Sequence, residues 1–245
     1  MSRQFVIGDI HGSLRAFETL LGLLELSSKD TLILLGDYVD RGPDSRGVME
    51  RILALRTELE LVPLFGNHEE MMCEAVREVA GGKGVQSEAL YGWIHCGGEE
   101  TLRSYAGKRS NGTDDVERLK RVPDEHWRFL MRQCRDYHET ETHIFAHATP
   151  LPQVALSEQP LYALRWRKLH DPQPHVSGKT VVVGHTRQPY GRPSSWGHTL
   201  ALDTGAGTGP SQWLTAFSLG EDYLWQANEQ GEHQQGPFDR LGLRL

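Results

Sequence analysis

Three times in its first third the chain repeats one pattern: a run of apolar residues, a loop opened by glycine, then apolar positions at helical spacing. Gln4-Phe5-Val6-Ile7 stops at Gly8, and after Ser13 the stretch from Leu14 to Leu26 carries Phe17, Leu20, Leu21 and Leu24 on one face. Thr31 to Leu35, Gly36 and a helix near Ser45 to Leu55 follow, then Leu61 to Phe65, Gly66 and a helix from His68 to Val79. Short apolar runs without polar alternation suit strands buried on both faces, and strand–helix units in series bring such strands together in parallel. The pattern predicts an α/β fold whose parallel sheet is covered by helices.

The stretch from Ala80 to Val122 mixes Gly81-Gly82-Lys83-Gly84, Gly97-Gly98 and Asn111-Gly112 with short apolar pieces, and reads as irregular. Pro123 to Arg132 reads as a helix with Trp127, Leu130 and Met131 on one face, so residues from about 80 to 135 are expected to form an insertion or cap. Beyond it, Thr142 to Ala146, Thr180 to Val183, Thr199 to Leu202, Trp213 to Leu219 and Tyr223 to Ala227 are short strand candidates joined by Gly- and Pro-containing turns. No repeat, heptad run or Ser/Gly-rich linker divides the 245 residues, so a single domain is expected.

Charge and cysteine content narrow the partners. Twenty-six Lys and Arg against 33 Asp and Glu give a net charge of −7, which offers no general attraction to nucleic acid or anionic lipid. Cys73, Cys96 and Cys134 lack CxxC spacing, and an odd count fits a reducing compartment better than a disulfide framework. The amino-terminal apolar run is too short for a signal-peptide core and no run reaches the roughly 18 residues of a membrane span. A cytoplasmic location, with neither nucleic acid nor membrane as partner, is the expectation.

The chemistry lies in the loops after the strands: Gly8-Asp9-Ile10-His11-Gly12, Gly36-Asp37-Tyr38-Val39-Asp40-Arg41-Gly42 and Gly66-Asn67-His68-Glu69. Ligands of open parallel sheets bind outside the carboxyl ends of the strands, so these loops should converge. Two later strand candidates end in His147 and His185. Asp9, His11, Asp37, Asn67, His147 and His185 offer oxygen and imidazole donors without a thiolate, a set suited to Mn²⁺, Fe or Zn²⁺ and larger than one tetrahedral site needs. A carboxylate between two cations can bridge them, and Asp37 is the bridging candidate. Taken singly the blocks have plainer readings: Asp9 could cap a helix, Asn67 could be an N-cap followed by the first-turn acids Glu69 and Glu70, and a lone His147 or His185 could be a satisfied core histidine.

The ordered set GDIHG, GDYVDRG, GNHE, AH and GHT resembles the metallophosphoesterase superfamily, and within it the serine/threonine phosphoprotein phosphatase branch. The resemblance implies a four-layer α/β/β/α sandwich. It further implies two divalent cations, one among Asp9, His11 and Asp37 and the other among Asp37, Asn67, His147 and His185. On the same ground His68 would protonate the leaving-group oxygen, Asp40 would orient its imidazole and Arg41 would grip the phosphate. A second phosphate-binding arginine falls in Leu164-Arg165-Trp166-Arg167-Lys168, where Arg165, Arg167 and Lys168 are all eligible and Arg167 is taken. Leu202-Asp203-Thr204-Gly205-Ala206-Gly207 resembles the closing strand and turn of the family and is read as structural.

The implied activity is hydrolysis of phosphoserine, phosphothreonine or phosphotyrosine monoesters, by hydroxide formed from a water bridging the two cations. The substrate would be a phosphorylated protein or peptide, or a small phosphoester. The alternative in the same superfamily is a dinucleoside tetraphosphate hydrolase; its symmetrical bacterial type usually lacks an Asp at the position of Asp40. A non-catalytic metal-binding scaffold is the alternative outside enzymology, and it should show damage to the motif set, which here is whole.

Overall fold

The computed structural model describes residues 3–107 and 114–245 of the chain; Asn111-Gly112 lies outside the described residues. β1 (Gln4–Ile7), β2 (Thr31–Leu34) and β3 (Glu60–Pro63) run parallel, with Phe5 opposite Leu32 and Leu32 opposite Leu61. On the other side of β1, β9 (Leu214–Ser218) pairs antiparallel and continues through β10 (Tyr223–Ala227) to β11 (His233–Pro237), completing a six-stranded sheet. The second sheet has the order β12 (Leu243–Arg244), β7 (Ser194–Ser195), β8 (Thr199–Ala201), β6 (Thr180–Val183), β5 (His143–Ala146), β4 (Tyr137–Glu139). β5, β6 and β8 are parallel to one another.

The side-chain period of two explains how these sheets stack. Val6, Ile33, Leu35, Val62 and Leu64 leave one face of the first sheet and meet Phe145, Val182, Leu200 and Leu202 from the second, forming an apolar layer between them. The alternate residues Phe5, Ile7, Leu32 and Leu34 leave the opposite face and pack on α1 (Leu14–Leu24) through Phe17, Leu20 and Leu24, and on α2 (Ser45–Glu58) through Val48, Met49 and Ile52. On the outer face of the second sheet, Ile144, Ala146, Val181 and Val183 pack on Leu164 of α8 (Leu161–Arg165) and on Leu156. The layers are therefore helix, sheet, sheet, helix, the α/β/β/α sandwich that the resemblance implied. Each fully buried Leu or Phe contributes about 1.5–3 kcal/mol, so strands as short as four residues hold because both faces are covered.

The segment expected to be irregular is mostly helical among its described residues. α3 (Asn67–Glu78) leads through a wide turn to α4 (Glu88–Trp93), a second wide turn leads to α5 (Glu99–Ala106), and α6 (Asp115–Leu119) and α7 (Asp124–Gln133) follow. The glycines that read as loop markers are kinks inside this run, at Gly82 (φ 95°) and Gly97 (φ 115°). α4 packs on α3 and α5 on α2, so the segment covers the same edge of the first sheet that carries its loops. Of the strands that sequence reading passed over, β11 is His-Gln-Gln-Gly-Pro at a sheet edge, where exposure removes the apolar signal, and β7 and β12 have two residues each. Among the described residues no helix is long and apolar enough to cross a membrane.

Candidate metal centre

Asp9 and His11 follow β1, Asp37, Asp40 and Arg41 follow β2, Asn67 and His68 open α3 just beyond β3, and His147 and His185 follow β5 and β6. All come from the carboxyl ends of parallel strands, and the stacking of the two sheets brings them to one place. Holding so many polar groups there takes unusual backbone: of the nine described non-glycine residues with positive φ, five are His11, Asp37, Asp40, Arg41 and His185. Left-handed geometry costs a side-chain-bearing residue roughly 1–2 kcal/mol, so their grouping marks a site maintained against strain.

Asp37 stands at the middle. Its Oδ2 lies 3.4 Å from Nε2 of His11, and its Oδ1 lies 3.4 Å from Nε2 of His147. Donor atoms of Asp37, His11 and His68 fall within 4.8 Å of one another, and so do those of Asp37, His147 and His185. The carboxylate thus has one oxygen for each of two clusters, the arrangement expected of a bridge.

Ring partners define the tautomers. His147 gives its Nδ1–H to the carbonyl of Leu35 (2.8 Å) and His185 gives its Nε2–H to the carbonyl of Trp166 (2.9 Å). Their remaining nitrogens, both lone-pair bearing, sit 2.9 Å from Oδ1 of Asn67. With its amide oxygen turned toward them, Asn67 adds a third donor atom to these two ring nitrogens, a set that a cation would satisfy. On the other side of Asp37, His11 gives its Nδ1–H to Val39 (3.0 Å), and its Nε2 accepts from Nη1 of the exposed Arg41 (2.7 Å).

Electrostatics divides the histidines. Burial pushes His11 and His147 below the usual imidazole range, and burial together with His147 takes His185 down to about 4, so these three are neutral and able to ligate. For His68 burial acts downward too, but Asp37 and then Asp40 outweigh it and hold the imidazole above its ordinary value. Its Nδ1 lies 2.6 Å from Oδ2 of Asp40, and its Nε2 accepts from Nη2 of Arg41 at 2.9 Å.

The carboxyls are crowded. Burial, then Asp203 and Asp37, drives Asp9 well up, and burial and the Asp37 charge lift Asp203 to about 6. Burial also pushes Asp37 upward, but His147, His68 and His11 together hold it below the usual carboxylate range. Closely placed buried carboxyls and acceptor facing acceptor are both features that divalent cations would compensate, so the donor set fits a metal centre.

Residues 3–189 match the model of the calcineurin-like phosphoesterases. The chain belongs to this family. It is 30% identical over 212 residues to the serine/threonine-protein phosphatase 1 of Salmonella typhimurium, covering 82% of this chain and 86% of that one. It is also 30% identical over 165 residues to a symmetrical bis(5'-nucleosyl)-tetraphosphatase of Acidovorax sp. (strain JS42); that match covers 65% of this chain but spans only about half, 48%, of the relative. Two solved structures share the fold: a putative diadenosine tetraphosphatase (TM-score 0.59, 20% identity, 96% and 93% coverage) and a cold-active protein tyrosine phosphatase (TM-score 0.62, 15% identity, 99% and 80%). Members of the family work with a dinuclear divalent centre, and the His and Asp donors gathered about Asp37 could hold metal here.

The phosphoesterase site also contains residues that sequence reading did not single out. Glu69, read as a first-turn helix acid, is fully buried and binds backbone N–H groups: Oε2 accepts from Asp37 (2.8 Å) and Gly66 (3.0 Å), Oε1 from Tyr38 (2.8 Å) and Val39 (3.3 Å). It clamps the loop after β2 to the start of α3. Burial and the Asp37 charge lift its carboxyl to about 8 even so. Its place three residues after Gly66 was the available signal, since a glutamate there can reach back to the cap. Asn67 is the first helical residue and not the cap, which is Gly66. Asp9 is not the cap of α1, which is Ser13; both its oxygens accept the His185 N–H, at 3.1 and 3.0 Å. No hydrogen bond or ion pair joins Arg167 to the cluster; its Nη1 donates to the carbonyls of Thr149 (3.3 Å) and Pro150 (2.8 Å). Arg165 is held by Asp136 and Glu70.

Proposed function

We propose that the chain hydrolyses phosphoserine and phosphothreonine monoesters of proteins or peptides. The observation that carries this reading is the His68–Asp40 pair, 2.6 Å apart, with one guanidinium spanning His68 and His11. Departure of an alkoxide demands an acid, and an imidazole held above its usual value by two carboxylates is suited to provide one.

Asp9, His11 and Asp37 on one side, and Asp37, Asn67, His147 and His185 on the other, would hold two divalent cations. Bound there, such cations polarise phosphoryl oxygens and bring a water toward ionisation near neutral pH. The rest falls to the chain's own groups. Arg41 presents two donors in a plane, matched to two phosphoryl oxygens. In the present arrangement its Nη2 uses the Nε2 lone pair of His68, so swinging onto a phosphate frees that nitrogen to carry a proton. Asp40 keeps Nδ1–H in place, aiming the opposite nitrogen at the leaving group.

Coverage of 86% of the Salmonella phosphatase, against 48% of the Acidovorax tetraphosphatase, supports the phosphoprotein reading. The second reading, cleavage of a dinucleoside tetraphosphate, is favoured by the 30% identity to the latter. Protein stripped and reloaded with Mn²⁺ should turn over a phosphoserine peptide, and Asp37→Asn should lose about a thousandfold or more of that rate. Cleavage of the dinucleotide with an inert peptide would transfer the reading to nucleotides.

A further inference from the structure

The helical segment between α3 and α6 reaches back to Asp40 and Arg41, in the loop after β2, at three points. Trp93, at the end of α4 and fully buried, donates its indole N–H to both oxygens of Asp40, at 3.0 and 2.9 Å. Thr101, in α5, donates its hydroxyl to Oδ1 of Asp40 at 2.7 Å and accepts the Asp40 N–H at 2.8 Å. The carbonyl of Gly97 accepts the N–H of Arg41 at 3.1 Å. Gly97 is at φ 115°, where a Cβ would come within 2.9 Å of that nitrogen, so the approach requires glycine.

These contacts do more than fill space. Asp40 and Arg41 are consecutive left-handed residues, at φ 75° and 67°, and an isolated loop would not hold them so. The hydroxyl of Thr101 receives from the backbone and gives to the carboxylate of the same residue, which secures both the turn and the side chain. With His68 on Oδ2, Trp93 and Thr101 bring the donors around this buried carboxylate to three groups. Each one removed frees the carboxylate to turn and leaves more of its hydrogen bonding to His68, so the imidazole that it orients is less well aimed.

We propose that Trp93 and Thr101 are positioning residues for leaving-group protonation, acting through Asp40 on His68, and that the turn at Gly97 holds Arg41 beside them. The inference rests on the phosphomonoesterase reading and gives the segment from 80 to 106 a part in it.

The test is leaving-group dependence. Phenyl phosphate releases a basic phenolate that benefits from a proton, and p-nitrophenyl phosphate releases one that does not. In Mn²⁺-loaded protein, Thr101→Val and Trp93→Phe should each lower kcat on phenyl phosphate about tenfold, change p-nitrophenyl phosphate less than about twofold and leave KM alone. Asp40→Asn should give the same pattern at about a hundredfold, and Thr101→Ser should restore the wild-type rate. A readout independent of turnover is the low-field proton resonance of the His68–Asp40 bond, which should move further downfield in Thr101→Val. Equal losses on both esters, or an unmoved resonance in folded variants, would overturn the proposal. A wild-type protein inert on both esters would overturn the phosphomonoesterase reading and this inference with it. Wild-type turnover with equal losses in Thr101→Val would remove the inference alone.

Discussion

The two sides of Asp37 use similar side chains and leave them in opposite states. On the side of His11 and His68, the ring nitrogens facing the site already accept from Arg41, at 2.7 and 2.9 Å. On the side of His147 and His185, the ring nitrogens face another acceptor, Oδ1 of Asn67, at 2.9 Å each. One side is satisfied by a cation of the protein's own, the Arg41 guanidinium. On the other, Asn67 and the two ring nitrogens form a donor set that a cation would complete. The difference teaches that a list of ligating residue types does not describe a metal site; what each lone pair meets does.

Breaking the unsatisfied side should have the largest effect. His185→Ala is expected to reduce bound Mn²⁺ from two equivalents to one, with about a hundredfold or greater loss of affinity at the site affected. Elemental analysis after gel filtration, with calorimetric titration, measures both. A variant that still binds two equivalents at wild-type affinity would contradict the contrast between the sides.

Removing the guanidinium makes the satisfied side resemble the other. Arg41→Ala should lower kcat/KM on a small phosphoester by about ten- to a hundredfold, roughly what one charge-assisted hydrogen bond contributes. Arg41→Lys should recover little, because a point charge cannot span two imidazoles or two phosphoryl oxygens. Steady-state kinetics of the two variants side by side would decide it; full rescue by lysine would show that charge alone suffices.

The smallest effect should come from a lesion remote from both sides. Asp30, nearly buried, accepts from Arg3 (Nη2 at 2.7 Å) and from Ser27, and the Arg3 hydrogen bond holds its carboxyl below the usual range. A carboxyl with a lowered folded pKa stabilises above its unfolded value, near 4, and loses that contribution as pH falls toward the folded value. Asp30→Asn should therefore cost about 1–2 kcal/mol at pH 7, and progressively less below pH 4, without changing metal stoichiometry. Denaturant titrations at several pH values would measure this, and a pH-independent difference would exclude the ion pair as its source.

Most of the framework was legible because its signals are local. Apolar runs ending at Gly8, Gly36 and Gly66, each followed by helical spacing, defined the parallel strands and the loops that project from them. The residue types at the strand ends followed from the same reading: His11, His147 and His185 gather about Asp37, Asn67 lies against His147 and His185, and Asp9 accepts the His185 N–H. The polar edge strand β11 and the helical run from α4 to α6 were not legible. The first lacks an apolar face, and the second is divided by glycines that serve as kinks.

What the sequence determined by itself was the three opening strand–helix units, the later apolar strands and the donors that the strand-end loops carry, because period and punctuation act over a few residues. The tertiary structure decided which lone pair meets which partner. Trp93 and Thr101 reach Asp40 across 53 and 61 positions, and His147 faces Asn67 across 80. Hydrogen bonds of that span depend on how two sheets and a helical segment pack, and no pattern within a few residues encodes them.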